Sequence, residues 1–244
     1  MGYNGDQMRR LLSRREIVRL FGATGAVLLT GGVLTPGRAV PAAQQPPCIV
    51  RPKQMEGPYF IDEQLHRSDI RPDPSTGRVT PGIPLTLTLR VMSVRTGDCR
   101  PLSGTAVDIW HCDAMGFYSD VQDPWFNTKG RKFLRGYQVT DTNGEVRFVT
   151  IYPGWYPGRT VHIHIKIRTA PLQDRGFDFT SQLYFDDALT DHVHANPPYA
   201  SRGLRTVRNR HDWIFRQGGD RLMLDPTPNA GGYAAVCSLG LNLP

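Results

Sequence analysis

Two histidines one residue apart, His162-Ile163-His164, sit in the run VHIHIKI. Strand alternation puts both imidazoles on one face, about 7 Å apart along the chain, near enough to meet at one metal ion. A lone H-x-H is weak evidence, and its neighbours are what sharpen it. Tyr156 lies six residues upstream in the tight loop Pro153-Gly154-Trp155-Tyr156-Pro157-Gly158, and Tyr118 follows the run VDIWHC in Asp113-Ala114-Met115-Gly116-Phe117-Tyr118. Both loops fall at strand ends, where a phenol can be aimed at the same point. A deprotonated phenol is a hard anionic donor that favours Fe(III) over Fe(II), and two neutral imidazoles complete a mixed N/O set. Zinc would sooner take thiolate or carboxylate partners. Tyrosines also fill sandwich edges with no chemistry at all, so the case rests on the four residues together.

Taken with Glu56-Gly57-Pro58-Tyr59-Phe60, Val107-Asp108-Ile109-Trp110-His111-Cys112-Asp113-Ala114-x-Gly116-x-Tyr118, Tyr156-Pro157 and Arg159-x-x-His162-x-His164, the chain resembles the intradiol ring-cleavage dioxygenases, the catechol and protocatechuate 3,4-dioxygenase-like enzymes, over roughly residues 48–240. The resemblance implies a β-sandwich catalytic domain with one Fe(III) per chain, held by Tyr118, Tyr156, His162 and His164. It also implies that Arg159 and Gln182 lie beside the substrate and that Tyr156 exchanges during turnover. The implied reaction opens a catechol-type ring between its two hydroxyl carbons with O2, giving a muconate-type diacid. Only residues 157–161 separate Tyr156 from His162, and no N-terminal helical region precedes the domain. Both departures resemble the small, exported, single-domain branch; they leave substrate and oligomeric state open.

Two other readings compete. A non-catalytic exported β-sandwich binding module would keep the strands but need neither tyrosine nor Arg159. A cupin also uses H-x-H, but with a glutamate that HIHIKI does not provide. The second H-x-H, His192-Val193-His194, stands among Asp191, Asn196, Pro197 and Pro198 and reads as an exposed loop with no tyrosine at matching spacing. His66, His111 and His211 read as structural or surface residues, and Trp110 and Trp155 as core.

The elements that must position these residues are strands. The 25 Gly and 20 Pro favour turn-rich β architecture. Alternating or apolar runs at 85–94, 105–112, 133–139, 145–151, 161–167, 181–185 and 232–239 read as strands, with a turn at Thr96-Gly97-Asp98 and a hairpin turn at Asp141-Thr142-Asn143-Gly144. The expectation is an all-β, antiparallel β-sandwich over residues 44–244 with long active-site loops, entered through a Pro-rich extended segment at 44–60.

Residues 1–43 read as a twin-arginine export signal: Arg14-Arg15 precede a Gly-rich apolar stretch from Phe21 to Leu34, which ends near Ala39 to Ala43. Its removal takes six Arg, one Asp and one Glu from 29 basic and 22 acidic residues, lowering the formal charge from +7 to +3. That leaves no case for a nucleic-acid partner, and no later segment is apolar enough for a membrane span. The expected partners are the export machinery, a catechol-type small molecule and O2, with oligomerisation open. Four cysteines, Cys48, Cys99, Cys112 and Cys237, suggest two disulfides in an exported chain. An extended strand over 104–112 disfavours Cys99–Cys112 and leaves the other two pairings open.

Overall fold

Alternation along β1 (Pro84–Arg95) buries Leu85, Leu87, Leu89 and Val91 on one face. This strand anchors the first sheet of the computed structural model, which describes residues 49–95, 98–169 and 176–243. β1 pairs antiparallel with β2 (Asp98–Pro101) and β7 (Glu145–Ile151). Its partner β11 (Gly232–Leu241) runs parallel to it and carries β10 (Thr227–Asn229) at its edge. The second sheet has the order β6 (Arg135–Val139), β3 (Ala106–Trp110), β8 (His162–Arg168), β9 (Asp178–Tyr184), all antiparallel. A short ribbon, β4 (Gln122–Asp123) with β5 (Phe126–Asn127), lies apart. The expected all-β sandwich is therefore present, with one parallel pair within it.

The sheets share a core. Leu87, Leu89, Phe148 and Leu239 from the first pack with Val107, Ile109, Ile163, Ile165 and Leu183 from the second. Each such side chain contributes about 1.5–3 kcal/mol when fully buried. Because Ile163, Ile165 and Ile167 face this core, His162 and His164 must face the other way. That outer face is covered by a second cluster of Trp110, Cys112, Tyr118 and Val121, against which Tyr59, Phe60, Phe126 and Tyr156 pack. The sandwich thus turns an apolar repeat inward and a histidine pair outward on the same strand.

Several expectations need correction. Asp141–Gly144 is a turn, with the Asp141 carboxylate accepting from the Asn143 and Glu145 N–H groups, but not a hairpin. β6 pairs with β3 and β7 with β1, so the turn hands the chain from one sheet to the other. His192-Val193-His194 is not a loop: it ends helix α1 (Asp187–His194), which Asp186 caps through the N–H groups of Ala188 and Leu189. Cys112 and Cys237 are buried free thiols, which overturns both open two-disulfide pairings. Each thiol is enclosed within its own apolar cluster, Cys112 among the loops of the outer face and Cys237 in the shared core. Cys99 does not belong with these free thiols. Cys48, Thr96, Gly97 and the expected signal at residues 1–43 lie outside the described residues.

Candidate metal centre

β8 delivers two candidate ligands. His162 Nε2 and His164 Nε2 stand 3.0 Å apart, with the Tyr118 hydroxyl 3.4 Å from the former. Two ligand atoms each about 2.1 Å from one ion and near a right angle would stand about as far apart. His162 Nδ1 lies 2.7 Å from the Thr160 carbonyl, an acceptor only, so the proton sits on Nδ1 and Nε2 keeps its lone pair for the centre. The Trp110 indole lies flat on His164, 4.8 Å between centroids and 5° between planes, because the strand register places the two residues opposite each other. That stacking fixes the ring plane of the second histidine.

The two phenols arrive on the two loops. Tyr118 and Tyr156 meet edge to face at 5.5 Å, and Tyr156 stands 5.7 Å from the His162 ring. Burial, then the Arg159 charge, push His162 down to about 3. Burial, then the neighbouring His162, hold His164 well below the usual histidine range. Both rings are therefore neutral donors. Burial raises the Tyr118 phenol well above its ordinary value. It also pushes Tyr156 up to about 12, against the opposing Arg159 charge. Neither phenol ionises at neutral pH without a strong cation at hand, and a hard trivalent metal supplies one. The donor set present fits Fe(III). Among the described residues no three His, Cys, Asp or Glu side chains converge on a metal site, so the tyrosines are what distinguish this place.

Behind the ligands runs a buried network. Arg159 Nε donates to Asp212 Oδ2 at 2.8 Å and Nη2 to Gln182 Oε1 at 2.6 Å. The same Asp212 oxygen accepts from the Thr160 N–H, while its other oxygen accepts from Ile214 and Phe215. Burial alone would raise Asp212, but the Arg159 charge and these N–H groups keep it below the ordinary carboxylate value. The Tyr184 hydroxyl is 2.7 Å from Gln54 Oε1 and 3.1 Å from Gln182 Oε1. Arg159 is thus no surface arginine; it is held in the floor of the site.

All six residues singled out from sequence, Tyr118, Tyr156, Arg159, His162, His164 and Gln182, come together. The second H-x-H does not join them: His194 stacks on Tyr199 at 5.0 Å, with Nε2 3.0 Å from the Pro153 carbonyl, and His192 faces solvent. His111 is structural, its Nε2 2.7 Å from Thr150 Oγ1. Sequence reasoning missed Asp212, Tyr184 and Gln54, and it gave Tyr59 no role of its own. Tyr59 packs on Tyr118 with ring centroids 4.6 Å apart and planes tilted by 31°, and donates to Asp123 at 2.7 Å. It stood inside the quoted EGPYF motif and could have been found there. Asp212 had no local signal, since its contact with Arg159 spans 53 residues.

A family model described as "Dioxygenase" matches residues 55–206. A catechol 1,2-dioxygenase of Acinetobacter lwoffii is 31% identical over 111 residues, 43% of this chain and 32% of that enzyme. The chain spans less than half the length of the curated relatives it matches. An intradiol ring-cleavage dioxygenase from Tetranychus urticae superposes with a TM-score of 0.69 at 33% identity, covering 80% of this chain and 95% of that one. The dioxygenase domain of a carbohydrate-binding fusion from Streptomyces sp. SirexAA-E gives 0.56 at 30% identity, covering 80% of this chain and all of that one. A match across most of the chain and a near-complete overlay on a solved enzyme agree with the motifs that meet at this centre: the chain belongs to the intradiol ring-cleavage dioxygenase family.

Proposed function

We propose that this chain is an Fe(III)-dependent dioxygenase that opens catechol-type rings between their two hydroxyl-bearing carbons, placing both atoms of O2 in a muconate-type diacid. The observation that carries this reading is the meeting of two neutral imidazoles, the buried Tyr118 phenol and the half-buried Tyr156 phenol beside an open cleft of about 380 Å3 lined in part by Tyr156. Tyr118, Tyr156, His162 and His164 would hold the iron, which supplies Lewis acidity and lets a catecholate react with O2. The remaining work falls to the chain. A catechol must shed two protons to chelate as a dianion; solvent hydroxide would accept one and Tyr156 the other. It is the ligand that lines the cleft, and burial makes its phenol hold a proton firmly once received. Arg159, fixed by Asp212 and Gln182, keeps a positive charge beside the ring as negative charge grows there. The aromatic cover of Tyr59, Phe60 and Trp110 keeps water from the histidines.

Metal analysis with a visible spectrum tests this reading. One iron per chain, a red to burgundy colour from phenolate-to-iron charge transfer, and oxygen uptake on a panel of catechols are expected. A colourless protein with stoichiometric zinc after iron-replete expression would sink it. We also propose export through the twin-arginine route, which carries folded cargo and so permits metal loading beforehand. Residues 1–43 fused to a folded reporter should direct it out of the cytoplasm, and Arg14→Lys with Arg15→Lys should strand it inside.

A further inference from the structure

We propose that Arg202 makes the cleft beside Tyr156 a receptor for catechols whose ring carries a carboxylate at the end of a short side chain. The inference rests on the ring-cleaving function proposed above and adds the substrate class. Arg159, Arg168 and Arg205 are matched to carboxylates, those of Asp212, Asp108 and Asp187, and the buried Arg135 to the backbone carbonyls of Ser119 and Tyr59. Arg202 is not among those pairs. Its buried Nε has no hydrogen-bond partner among the described residues. Its guanidinium lies instead over the Trp155 ring at 4.9 Å and the Phe117 ring at 5.7 Å.

The Arg202 charge acts on the Asp113 carboxylate, but no ion pair joins the two among the described residues. Asp113 accepts from the Met115 and Phe117 N–H groups, and Asp123 accepts from the Tyr59 hydroxyl and the Trp125 N–H. A guanidinium lying over two aromatic rings, with no ion pair of its own among the described residues, is placed to receive a planar anion.

The cleft explains why that anion belongs on an arm. It measures about 380 Å3, a size that takes far more than one six-membered ring. Tyr156 and Tyr59 mark the end of the cleft nearest the centre, since both pack against Tyr118. Arg202 lines the same cleft, yet its own contacts run to Phe117 and Trp155, not to either tyrosine. Trp125 stands 88% exposed in the cleft lining, with an open face for the side chain to lie against.

The test titrates three probes into iron-loaded wild-type protein, Arg202→Met and Arg202→Lys without oxygen: 3-(3,4-dihydroxyphenyl)propanoate, its methyl ester, and 3,4-dihydroxybenzoate. In wild type the propanoate should bind roughly tenfold to hundredfold tighter than its ester, the range of a charge-assisted hydrogen-bonded contact. That ratio should fall to near one in Arg202→Met and survive in part in Arg202→Lys. The propanoate should also exceed the benzoate in wild type. An ester that matches the acid in wild type overturns the proposal, as does an unchanged ratio in Arg202→Met, or in Arg202→Lys if the methionine variant does not fold. A benzoate that shows the larger Arg202 dependence replaces the arm with a ring carboxylate and overturns it too. Oxygen uptake separates the two claims. An Arg202-dependent preference with no turnover of any catechol sinks the ring-cleaving function alone, while turnover without the preference sinks the cleft alone.

Discussion

At the residue scale the site is a contest between ligand geometry and burial. His162→Ala and His164→Ala each remove one of four protein donors and should release iron, measured by metal content after dialysis. His192→Ala, on the solvent face of α1, should leave it in place; the reverse outcome means the wrong H-x-H was chosen. The structure also changes what an Arg159 variant must do. Arg159→Leu strands the buried Asp212 carboxylate, and breaking such a pair costs about 3–5 kcal/mol. Adding Asp212→Asn removes the stranded charge but turns an amide NH2 toward a backbone N–H, so it should recover only part of that stability in denaturant titrations. Turnover should stay down by roughly 10²–10³ in both variants, because the fixed charge beside the ring is gone. Near-normal turnover in the double variant would leave Arg159 a structural role only. The four candidate ligands were legible as a cluster because residue type and, for the histidines, two-residue spacing specify them locally. Asp212 was not, because a buried ion pair is made by chain segments that only the fold brings together.

At the element scale, two ligand-bearing loops touch through glycine. A Cβ on Gly116, where φ is +85°, would fall 2.2 Å from the Trp155 carbonyl oxygen, and one on Gly154 would fall 2.4 Å from that of Asp113. Neither loop can yield without moving Tyr118 away from Tyr156. Gly116→Ala should therefore cost about 1–3 kcal/mol in thermal or denaturant unfolding and speed iron loss to a chelator. Gly130→Ala, at φ +79° with open space around its Cβ, should lose stability without faster iron loss. Equal chelation rates in the two variants would mean the loop contact does not set the ligand geometry. Strands were readable wherever one face alternates, as in β1, β7 and β8. Pairing was not: the turn at Asp141 looks like a hairpin locally, and only the burial of β6 and β7 in opposite sheets decides otherwise. Helix α1 was hidden because eight residues with two prolines just beyond read as loop, while its Asp186 cap was the missed signal.

At the scale of the whole molecule, the segment before β1 binds the two sheets together. The Arg51 N–H donates to the Gly240 carbonyl on β11, and the Gln54 N–H to Thr180 on β9. The Ile70 N–H donates to Val149 on β7, while its carbonyl accepts from Leu134 just before β6. The extended wrapping expected for residues 44–60 holds from residue 49 onward and continues to Asp73. There the strap is pinned by charge: Asp73 accepts from Arg131 at 2.5 Å, from the Ser75 hydroxyl at 2.6 Å, and from the Lys132 N–H. Burial would raise this carboxyl, but these bonds hold it down at about 2 against an ordinary 3.8. A carboxyl whose pKa is lowered on folding adds stability above its unfolded value and loses it as pH falls toward the folded one. The Asp73 contribution is thus whole above about pH 4 and drains away toward about pH 2. Asp108 has the opposite sign: burial raises it to about 6 despite Arg168, so it weakens the fold as it ionises between its ordinary 3.8 and that value. The two windows do not overlap, which lets them be separated. Denaturant unfolding of wild type and Asp73→Asn, followed from pH 6 to pH 2.5, should show the variant less stable at pH 6. The gap should stay level down to about pH 4 and then narrow. A gap that stays constant through the acid limb would show that the strap is held by its backbone bonds and not by the Asp73 charge.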